Sequence, residues 1–492
     1  MSMIIIDCLA VGDGKKLLTR DVIGAGPRTV KGILESEGFK VKIVPYEDFK
    51  SIDREDIVFI SAMSSDIRAV KKLVDKIRMK VDKIILGGPI ANDLNILNKV
   101  NADISIVGEA ELTLRELIKK DFNPEGVKGV TYWKDFKVYN NPLREVLKDL
   151  SLITPSTKIK DYKNYFSARV YVEVVRGCSN FKRALLLCKS YCGKCERGTL
   201  SCPQHINPGC GFCSVPSVFG YAKSRDEDTI VEEIEELLKE GVKRIVLSAP
   251  DFLDYGRDSY NPYEPVNYEA IESLLSRCKE LSERFNSKIL IENVKANLFD
   301  ERVAKIIKEY LGSTTIYIGC ESGDKEHCNL LGRPSEPRDV LKAVKIAKKY
   351  NLKAQVYFIY GLPGENERSS RNTIRFMHKL KPYIDKITVY KFRPLPMSAF
   401  QNFKPNVTKF SLKIKETARR INLEIKRKYL GKRLEVIIAE KHFNKKEDAV
   451  GYLKDSGLLV VVKDGAKYIG EVKKVRIKKV YEKYLEGVID GS

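Results

Sequence analysis

The sequence lacks long hydrophobic runs, since no stretch of 18 consecutive apolar residues occurs in its 492 residues. A helix needs about 20 such residues to cross the hydrocarbon core of a membrane, so a membrane-spanning helix is excluded. The first residues also lack the basic stretch ahead of an apolar segment that marks a secretory signal. We therefore expect a protein of the cytoplasm.

Acidic residues are too few to balance the basic ones: 66 Asp and Glu face 88 Lys and Arg, for a formal net charge of +22. Such an excess favours a polyanionic partner, nucleic acid above all. The alternative is the Lys-rich and Glu-rich surface of a thermophilic protein, which the single Trp and the four His also fit. With 43% hydrophobic residues the chain can build real cores, and its length suggests about three domains.

The hydrophobic pattern divides the chain into two α/β regions and one all-β region. Residues 1–140 alternate short apolar strands with helical stretches, which predicts a doubly wound, Rossmann-like sheet. Residues 141–165 show no clear period and read as a linker. About six strand–helix units follow in 166–427, as expected for a partial parallel (β/α) barrel. Short strands and turns in 428–492 predict a small barrel of the oligonucleotide-binding (OB) type.

Cysteine is sparse outside one region, since seven of the eleven cysteines lie within the 36 residues from Cys178 to Cys213. In a cytoplasmic protein such a cluster more often binds metal than forms disulfides. Seven thiols can supply one complete four-thiolate site and one three-thiolate site, and the latter leaves a metal position open for a substrate. On spacing alone, zinc and iron are equally open.

Several motifs within residues 166–400 resemble, in their order, those of the radical S-adenosylmethionine superfamily. They are VEVVRGC, which ends at Cys178, then GCGFC, which ends at Cys213, and further along GCESG, LLGR, GLPGE and FRPLPMSAF. The resemblance implies a [4Fe-4S] cluster with three cysteine ligands, S-adenosylmethionine, and an electron donor such as ferredoxin or flavodoxin. It also implies cleavage of S-adenosylmethionine to a 5′-deoxyadenosyl radical that acts on an unactivated carbon.

The cysteine spacing departs from the Cys-x3-Cys-x2-Cys loop of that superfamily, because 31 residues separate Cys178 from Cys210. Two assignments compete. In the first, which the position in the chain favours, the radical cluster is held by Cys178, Cys210 and Cys213. The insertion 179–209 then binds a second iron–sulfur cluster or zinc through Cys188, Cys192, Cys195 and Cys202. In the second, the other cysteines hold the accessory metal and the radical cluster is held by Cys188, Cys192 and Cys195.

By the same resemblance, residues near the ends of the barrel strands contact S-adenosylmethionine. Phe212 directly precedes the last cluster cysteine, and Arg333 is a candidate for the carboxylate or the ribose. The residues expected at the amino group, the ribose region and the adenine edge are, in that order, Ser248, Ala249 and Pro250, then Glu321 and Ser322, then Gly361, Pro363 and Gly364.

The N-terminal region resembles the cobalamin-binding domain often fused to these enzymes, through IILGGP and DISIVGEAELTLREL. The matching residues are Gly87, Gly88, Gly108 and Glu109. Cobalamin domains that use a lower His ligand carry Asp-x-His-x-x-Gly after the first strand, and here Leu9 stands in the His place. Cobalamin either binds without that ligand or is no longer bound.

The C-terminal region 428–492 resembles the TRAM domain of tRNA-modifying radical enzymes, and residues 425–492 carry 17 Lys and Arg against 10 acids. Basic strands such as EVKKVRIKKV are suited to tracking a phosphate backbone. The combined resemblance predicts a methylthiotransferase or methyltransferase acting on RNA, above all tRNA. The alternatives are a cobalamin-dependent C-methyltransferase for a protein or small molecule, and a non-catalytic metal- and RNA-binding protein.

Overall fold

The computed structural model describes residues 1–9, 11–12, 22–190, 192–193, 195–442, 444–454 and 458–490. These residues form two compact units. The first unit contains the described residues up to Tyr165, apart from Val22, together with Glu235–Gly241. The second contains Phe166–Ile234 and the described residues from Val242 onward. None of the helices that the described residues form combines the length and the apolar character needed to span a bilayer.

The first unit is built on one sheet of seven strands. These strands are β1 (Met3–Asp7), β3 (Val41–Pro45), β4 (Glu55–Ser61), β5 (Val81–Gly87), β6 (Ile104–Ile106), β7 (Val130–Lys134) and β8 (Lys137–Asn140), and a two-residue strand outside this sheet is β2 (Val22–Ile23). The helices are α1 (Ala25–Ser36), α2 (Ile67–Ile77), α3 (Ile96–Val100) and α4 (Glu111–Lys119). Short 3-10 helices cover Tyr46–Ser51, Arg78–Lys80, Pro89–Asn92 and Ile159–Asp161.

The five parallel strands run in the spatial order β3-β1-β4-β5-β6, and the antiparallel hairpin β7–β8 extends one edge. The strand order reverses between β1 and β4, and doubly wound sheets bind ligands at such a point, beyond the carboxyl ends of the strands. The strands read as apolar runs because helices cover the sheet, and Ile5 and Ile6 of β1 are both fully buried. The predicted Rossmann-like sheet is confirmed.

The segment 141–165, predicted as a linker, is packed within the first unit. Tyr162 is fully buried, and its hydroxyl donates to Asp7 Oδ2 at 2.8 Å, at the end of β1. The segment also buries a small apolar cluster made of Leu147, Leu150 and Ile153. Individual contacts of this kind hold the segment in place. Because most of it forms neither a helix nor a strand, its sequence shows no regular hydrophobic period.

The second unit begins with strands and helices in alternation. Its strands are β9 (Arg169–Glu173), β10 (Val175–Arg176), β11 (Lys223–Ser224), β12 (Arg244–Ser248), β13 (Lys288–Ile291), β14 (Asn293–Val294), β15 (Thr315–Glu321), β16 (Lys353–Tyr360) and β17 (Lys386–Lys391). Its helices are α5 (Val215–Phe219), α6 (Glu227–Lys239), α7 (Tyr268–Arg284), α8 (Glu301–Leu311), α9 (Lys325–Leu330), α10 (Pro337–Lys349), α11 (Glu367–Leu380) and α12 (Lys409–Arg427). Short 3-10 helices cover Leu185–Leu187, Phe252–Asp254 and Lys381–Tyr383.

Six parallel barrel strands, here called staves, follow one another in sequence order and form a partial barrel. Strands β9, β12 and β13 pair in parallel, as do β14, β15, β16 and β17, and only Glu292 separates β13 from β14. Side chains alternate between two faces: Val170 and Val172 of β9 are fully buried on the helix side, whereas Tyr171 between them is partly exposed on the inner face. We call this inner face the lumen. The predicted partial (β/α) barrel is confirmed.

The chain ends in a closed barrel of five strands in the order β18-β19-β20-β22-β21, which confirms the predicted small all-β module. Its strands are β18 (Arg433–Lys441), β19 (Ala449–Leu453), β20 (Leu459–Lys463), β21 (Val472–Val480) and β22 (Leu485–Ile489), with a 3-10 helix at Ala466–Tyr468. Its Tyr452 ring lies 5.8 Å from the guanidinium of Arg244, the first residue of β12. A Cβ built at Gly470 would lie 3.9 Å from Phe166, just before β9. The small barrel therefore sits at the amino ends of the staves.

Candidate functional site

Cys178, Cys210 and Cys213 lie on two loops beyond the first barrel stave. Cys178 follows β10 after Gly177, whose backbone is left-handed (φ +81°). A Cβ at Gly177 would lie 2.0 Å from the carbonyl oxygen of Tyr221, so only glycine fits there. Cys210 and Cys213 share a tight turn, in which the Cys213 N–H donates to the Cys210 carbonyl at 2.8 Å.

The three thiols are close enough to affect one another's ionisation. Burial raises the pKa of Cys213 to about 12, and the thiols of Cys210 and Cys178 add to that rise. Burial also raises the pKa of Cys178 to about 11, with a contribution from Cys210. Neutral thiols lose their protons when they bind a metal. The structure thus brings together the three cysteines that the first assignment groups.

Two side chains direct hydrogen-bond donors at the sulfur of Cys210. Asn180 Nδ2 donates to Cys210 Sγ at 3.2 Å, and the Asn180 backbone N–H donates to Cys178 Sγ at 3.4 Å. The Arg333 guanidinium donates to the Cys210 sulfur at 3.5 Å. Hydrogen bonds to cysteine sulfur stabilise thiolates and tune the reduction potential of iron–sulfur clusters. Asn180 could not be predicted from the sequence, because nothing local distinguishes it from any other loop asparagine.

A buried set of charges supports the Cys178 loop. Lys295 Nζ lies 2.6 Å from Asp254 Oδ2 and 2.9 Å from Asp251 Oδ2, and it donates to the Ser179 hydroxyl at 2.8 Å. The Ser179 N–H donates in turn to Asp254 at 3.1 Å. Burial alone would lower the pKa of Lys295. The carboxylates of Asp251 and Asp254 more than offset this effect, so the pKa is raised overall and the lysine stays charged. A buried charge paired in this way fixes the loop that presents Cys178.

Arg333 connects the cysteines to the residues expected at the ribose. Its guanidinium lies 3.8 Å from Glu321 Oε1 and donates to the carbonyl of Gly319. Glu321 has a left-handed backbone (φ +64°) at a register shift in β15. Burial raises the pKa of Glu321, and Arg333 opposes that rise. A non-glycine residue held in this conformation marks a position where the surroundings impose the geometry.

The predicted loops of Ser322 and Pro363 are joined by His327, which is buried on α9. His327 Nδ1 lies 3.1 Å from Ser322 Oγ, and His327 Nε2 lies 3.0 Å from the Pro363 carbonyl oxygen. A carbonyl only accepts, so Nε2 carries the proton and Nδ1 accepts from the serine hydroxyl. Burial lowers the pKa of His327, which keeps the ring neutral. The sequence motifs did not predict a role for His327, because this residue lies between two motifs rather than within one.

The remaining predicted cofactor residues lie at the same end of the barrel. The turn after β16 contains Gly361 and Gly364, with φ of +74° and +77°, and the Gly361 N–H donates to Glu365 Oε2 at 2.9 Å. Ser248 ends β12 and is followed by a buried Ala249 and an exposed Pro250. The predicted segments after β12, β15 and β16 therefore all stand at the carboxyl ends of their strands.

Phe212 belongs to the packing that closes the barrel around the cysteine turn. It is half-buried against an apolar cluster that includes Leu362 and Phe400. The Phe400 N–H donates to the Gly211 carbonyl at 2.7 Å, and a Cβ at Gly211 would lie 2.4 Å from the Phe400 ring. The closing segment FRPLPMSAF thus fixes the turn that carries Cys210 and Cys213.

Three of the other four thiols lie near the buried side chain of Arg183, and the fourth, Cys192, lies near Cys188 and Cys195. Burial lowers the pKa of Arg183, and the thiols of Cys202, Cys195 and Cys188 oppose this effect. Burial raises the pKa of Cys195, and the rise is increased by Cys192, Cys188 and Cys202. The structure therefore also brings together the four cysteines assigned to the insertion.

The loop that carries these four thiols is held by Gln204. Its side chain accepts from the Lys189 N–H at 3.0 Å and donates to the Ser190 carbonyl at 2.7 Å. Burial raises the pKa of Cys202, but the N–H groups of Ile206 and Gln204 and the guanidinium of Arg183 lower it below its usual value. Cys192 is exposed, so this thiol group reaches the surface.

Neither thiol group is arranged as a finished site for a single ion. Among the described residues, no set of three or more His, Cys, Asp and Glu side chains stands ready to hold one metal ion. The donor set of the first group fits an iron–sulfur cluster, because three thiols leave one iron open and N–H groups reach the Cys210 sulfur.

Two stretches of the chain match family models. Residues 427–489 match the TRAM domain, and residues 199–377 match the radical SAM superfamily, where SAM is S-adenosylmethionine. The chain contains a radical SAM domain. The expectation from the motif order is thereby confirmed, and this family implies a [4Fe-4S] cluster and S-adenosylmethionine as cofactors.

This radical SAM protein resembles both uncharacterized and named relatives. An uncharacterized protein of Methanocaldococcus jannaschii is 72% identical, over 99% of this chain and 98% of the relative. A probable threonylcarbamoyladenosine tRNA methylthiotransferase of Pyrococcus horikoshii is 27% identical, over 57% and 64% respectively. The ribosomal protein uS12 methylthiotransferase RimO of Thermotoga sp. strain RQ2 is 28% identical, over 37% and 41%.

A solved structure shares the fold of this radical SAM protein. The radical S-adenosylmethionine methyltransferase TsrM of Kitasatospora setae, with cobalamin and a [4Fe-4S] cluster bound, matches with a TM-score of 0.60 at 14% identity. The match covers 82% of this chain and 77% of that chain. At this identity the likeness shows a common fold.

In the first unit of this radical SAM protein, the residues matched to a cobalamin-binding domain lie at the carboxyl edge of the sheet. Gly87 ends β5, and Gly88 and Gly108 follow β5 and β6 with φ of +82° and +77°. Glu109 is engaged in the fold, because its Oε2 accepts from the Leu147 N–H at 2.6 Å. The three glycines place no side chain at this edge of the sheet, and Glu109 holds segment 141–165 in place.

Proposed function

We propose that the protein cleaves S-adenosylmethionine at a [4Fe-4S] cluster held by Cys178, Cys210 and Cys213, and that it methylthiolates or methylates an unactivated carbon of RNA. The observation that carries this proposal is the grouping of three thiols from distant positions, with N–H donors from Asn180 and Arg333 on the Cys210 sulfur. The close fit at Gly177 supports it, because the backbone there admits no side chain.

Each predicted residue then has a defined task. When bound, the cluster supplies the electron that cleaves S-adenosylmethionine to a 5′-deoxyadenosyl radical. Arg333 holds Glu321 as a buried acceptor suited to the ribose hydroxyls. The turn after β16 would border the adenine edge, and His327 fixes that turn through Pro363. An electron donor such as ferredoxin or flavodoxin would supply the electron to the cluster held by the three cysteines.

The insertion supplies an accessory site in this proposal. Its ligands are Cys188, Cys192, Cys195 and Cys202, and they hold either a second iron–sulfur cluster or zinc. The support is that Cys188, Cys195 and Cys202 share the neighbour Arg183, and that the other three thiols all raise the pKa of Cys195. A site with four protein ligands has no open position, so its role is structural or electron-transferring rather than substrate-binding.

RNA is the proposed substrate because the TRAM barrel offers a basic face. Strand β21 carries exposed Lys474, Lys478 and Lys479, and the rings of Tyr481 and Tyr484 stack 4.6 Å apart just beyond it. This barrel lies at the amino ends of the staves, whereas the cofactor residues lie at the carboxyl ends. The eight residues of β16 span about 26 Å. A substrate that touches both must be large, as a folded tRNA is.

The first experiment measures 5′-deoxyadenosine formation under anaerobic conditions with dithionite. Reconstituted wild type is compared with Cys213→Ala and with Cys192→Ala as the matched control from the other thiol group. We expect wild type and Cys192→Ala to form the product and Cys213→Ala to fall to background. The reverse pattern would support the second cysteine assignment. No product from iron-loaded wild type would favour the non-catalytic metal- and RNA-binding protein instead.

A second candidate is a cobalamin-dependent C-methyltransferase acting on a protein or small molecule. It is favoured by one observation, the doubly wound sheet of the first unit, with Gly87 and Gly88 at its carboxyl edge. Leu9 provides no imidazole, so cobalamin would bind without a lower His ligand. Reconstitution with hydroxocobalamin followed by gel filtration tests this candidate. Retention of cobalamin without affinity for tRNA would favour it over RNA modification.

A further inference from the structure

Three tyrosines form a ladder on the lumen face of adjacent staves. Tyr317 of β15 and Tyr357 of β16 stack with centroids 6.1 Å apart and planes 12° apart. Tyr357 and Tyr390 of β17 follow at 5.9 Å and 31°. Tyr357 pairs with Gly319 and Tyr390 with Ile359, so each ring stands two residues further toward the carboxyl ends than the one before. The ladder therefore climbs from the floor of the barrel toward the predicted cofactor site.

The upper end of this ladder is open and its lower end is closed. Tyr390 is 57% exposed, an unusual exposure for an aromatic side chain on the inner face of a barrel. Tyr317 borders a cavity at the foot of the ladder, together with Arg169 and Glu292. The water-accessible volume of that cavity is about 10 Å³, room for one water at most. A ligand would enter past Tyr390 and stop above Glu292.

The upper part of the lumen favours a planar, uncharged group over a phosphate, because the charges that reach Tyr390 are those of two carboxylates, whereas Arg169 lies at the foot of the ladder. Glu292 and Glu321 both face the rings, and their charges reach the hydroxyl of Tyr390. Glu292 accepts from the hydroxyl of Tyr171. The Thr388 hydroxyl is buried at the level of Tyr357 and has no hydrogen-bond partner within the described residues. Flat rings, carboxylates and a buried hydroxyl together suit a heteroaromatic ring with N–H donors.

We propose that the ladder of Tyr317, Tyr357 and Tyr390 stacks a nucleobase that is flipped out of an RNA, while the phosphates stay outside on the basic surface. This inference rests on the proposed function and names the part of the substrate that enters the barrel. Enzymes that modify a base take it out of its helix to reach the target atom. Aromatic side chains hold such bases by stacking, and loss of one ring typically weakens binding about 5- to 150-fold.

The test uses the full chain with total tRNA from a strain that lacks this gene and S-adenosylmethionine labelled in its methyl group. Variants Tyr357→Leu and Tyr390→Leu remove a ring, Tyr357→Phe keeps it, and Tyr139→Leu is a control because Tyr139 is also exposed and stacked on a tyrosine. 5′-Deoxyadenosine formed without RNA is measured in parallel, and the transfer of label to tRNA is expressed relative to it. In the two ladder Leu variants this ratio should fall about 5- to 150-fold, and the other two variants should stay near wild type.

A second readout separates this inference from the proposed function. RNA containing 4-thiouridine is irradiated with the protein in the absence of cofactors, and the cross-linked peptides are identified by mass spectrometry. Cross-links in Lys353–Tyr360 or Lys386–Lys391 that disappear in the Leu variants support the ladder, whatever the outcome for S-adenosylmethionine cleavage. Cross-links confined to the TRAM barrel, unchanged label transfer in the Leu variants, or label found in a protein or peptide would overturn it.

Discussion

The two thiol groups are neighbours in sequence but are held in different ways. Cys178, Cys210 and Cys213 lie beside glycines that admit no side chain, and two N–H donors reach the Cys210 sulfur. The other group, Cys188, Cys192, Cys195 and Cys202, has an exposed member and a loop tied by the side chain of Gln204. The first group is part of the barrel, whereas the second belongs to an insertion placed between the cysteines of the first.

This difference shows how the loop between Cys178 and Cys210 tolerates a long insertion. Lengthening the Cys178–Cys210 loop from the three residues usual in the superfamily to 31 costs about 2 kcal/mol of loop-closure entropy. The barrel offsets such a cost with fixed anchors at Gly177 and Gly211, which hold the two ends of the loop. A metal on the insertion cysteines would cross-link the loop and reduce the same cost further.

We expect the largest difference in stability between the two regions when one glycine in each is replaced by alanine. Gly177 and Gly193 are both left-handed, with φ of +81° and +71°. A Cβ at Gly177 meets the Tyr221 carbonyl at 2.0 Å, whereas a Cβ at Gly193 meets nothing within 4 Å. We expect Gly177→Ala to lower the free energy of unfolding by about 2–5 kcal/mol through strain and clash, and Gly193→Ala by about 1–2 kcal/mol through strain alone.

Chemical denaturation of the two glycine variants measures these changes, and iron content after reconstitution shows which site each one disturbs. Gly177→Ala should also lose iron at the radical cluster, while Gly193→Ala should retain S-adenosylmethionine cleavage. Equal destabilisation by the two substitutions would contradict the view that only the first group is built into the barrel.

The sequence was sufficient for the parts of the molecule that depend on order and period. Strand–helix alternation predicted both α/β regions, and the motif order predicted the superfamily. The hydrogen bond from Asn180 to Cys210 was not predictable, because it depends on where a loop 30 residues away returns. The tyrosine ladder was also hidden, since Tyr317, Tyr357 and Tyr390 meet only once the register of three strands is known. Segment 141–165 was misleading because isolated contacts leave no periodic pattern.

A smaller difference is expected when the polar side chain that organises each thiol group is replaced by leucine. Asn180 is buried and donates both to Cys210 Sγ and to the Gly332 carbonyl at 3.1 Å. Asn180→Leu leaves that carbonyl unpaired, and we expect a loss of about 1–3 kcal/mol of unfolding free energy and a more negative cluster potential. Gln204→Leu removes exposed hydrogen bonds and should cost about 0.5–1 kcal/mol.

Thermal unfolding and a spectroscopically monitored redox titration check the leucine variants. The potential of the radical cluster should shift in Asn180→Leu and remain unchanged in Gln204→Leu. A shift in Gln204→Leu instead would mean that the insertion contacts the radical cluster, and the two thiol groups would then be one functional site.

The smallest expected effect concerns the pH dependence of stability, in which a histidine near the predicted cofactor site should differ from one near the insertion thiols. His327 is buried beside the predicted cofactor turn and has a lowered pKa, whereas His205 is exposed next to the insertion thiols. In the unfolded chain His327 binds a proton near pH 6.5, whereas in the folded protein its lowered pKa disfavours protonation. The free energy of unfolding therefore decreases as the pH falls below about 6.5, by at most about 1.4 kcal/mol per pH unit. His327→Asn should flatten this slope between pH 7 and pH 5 while lowering the stability at pH 7. His205→Asn, at a left-handed position that asparagine tolerates, should leave the slope intact. Urea denaturation across this pH range decides the point, and a slope that survives in His327→Asn would assign the pH dependence to the buried carboxyl groups instead.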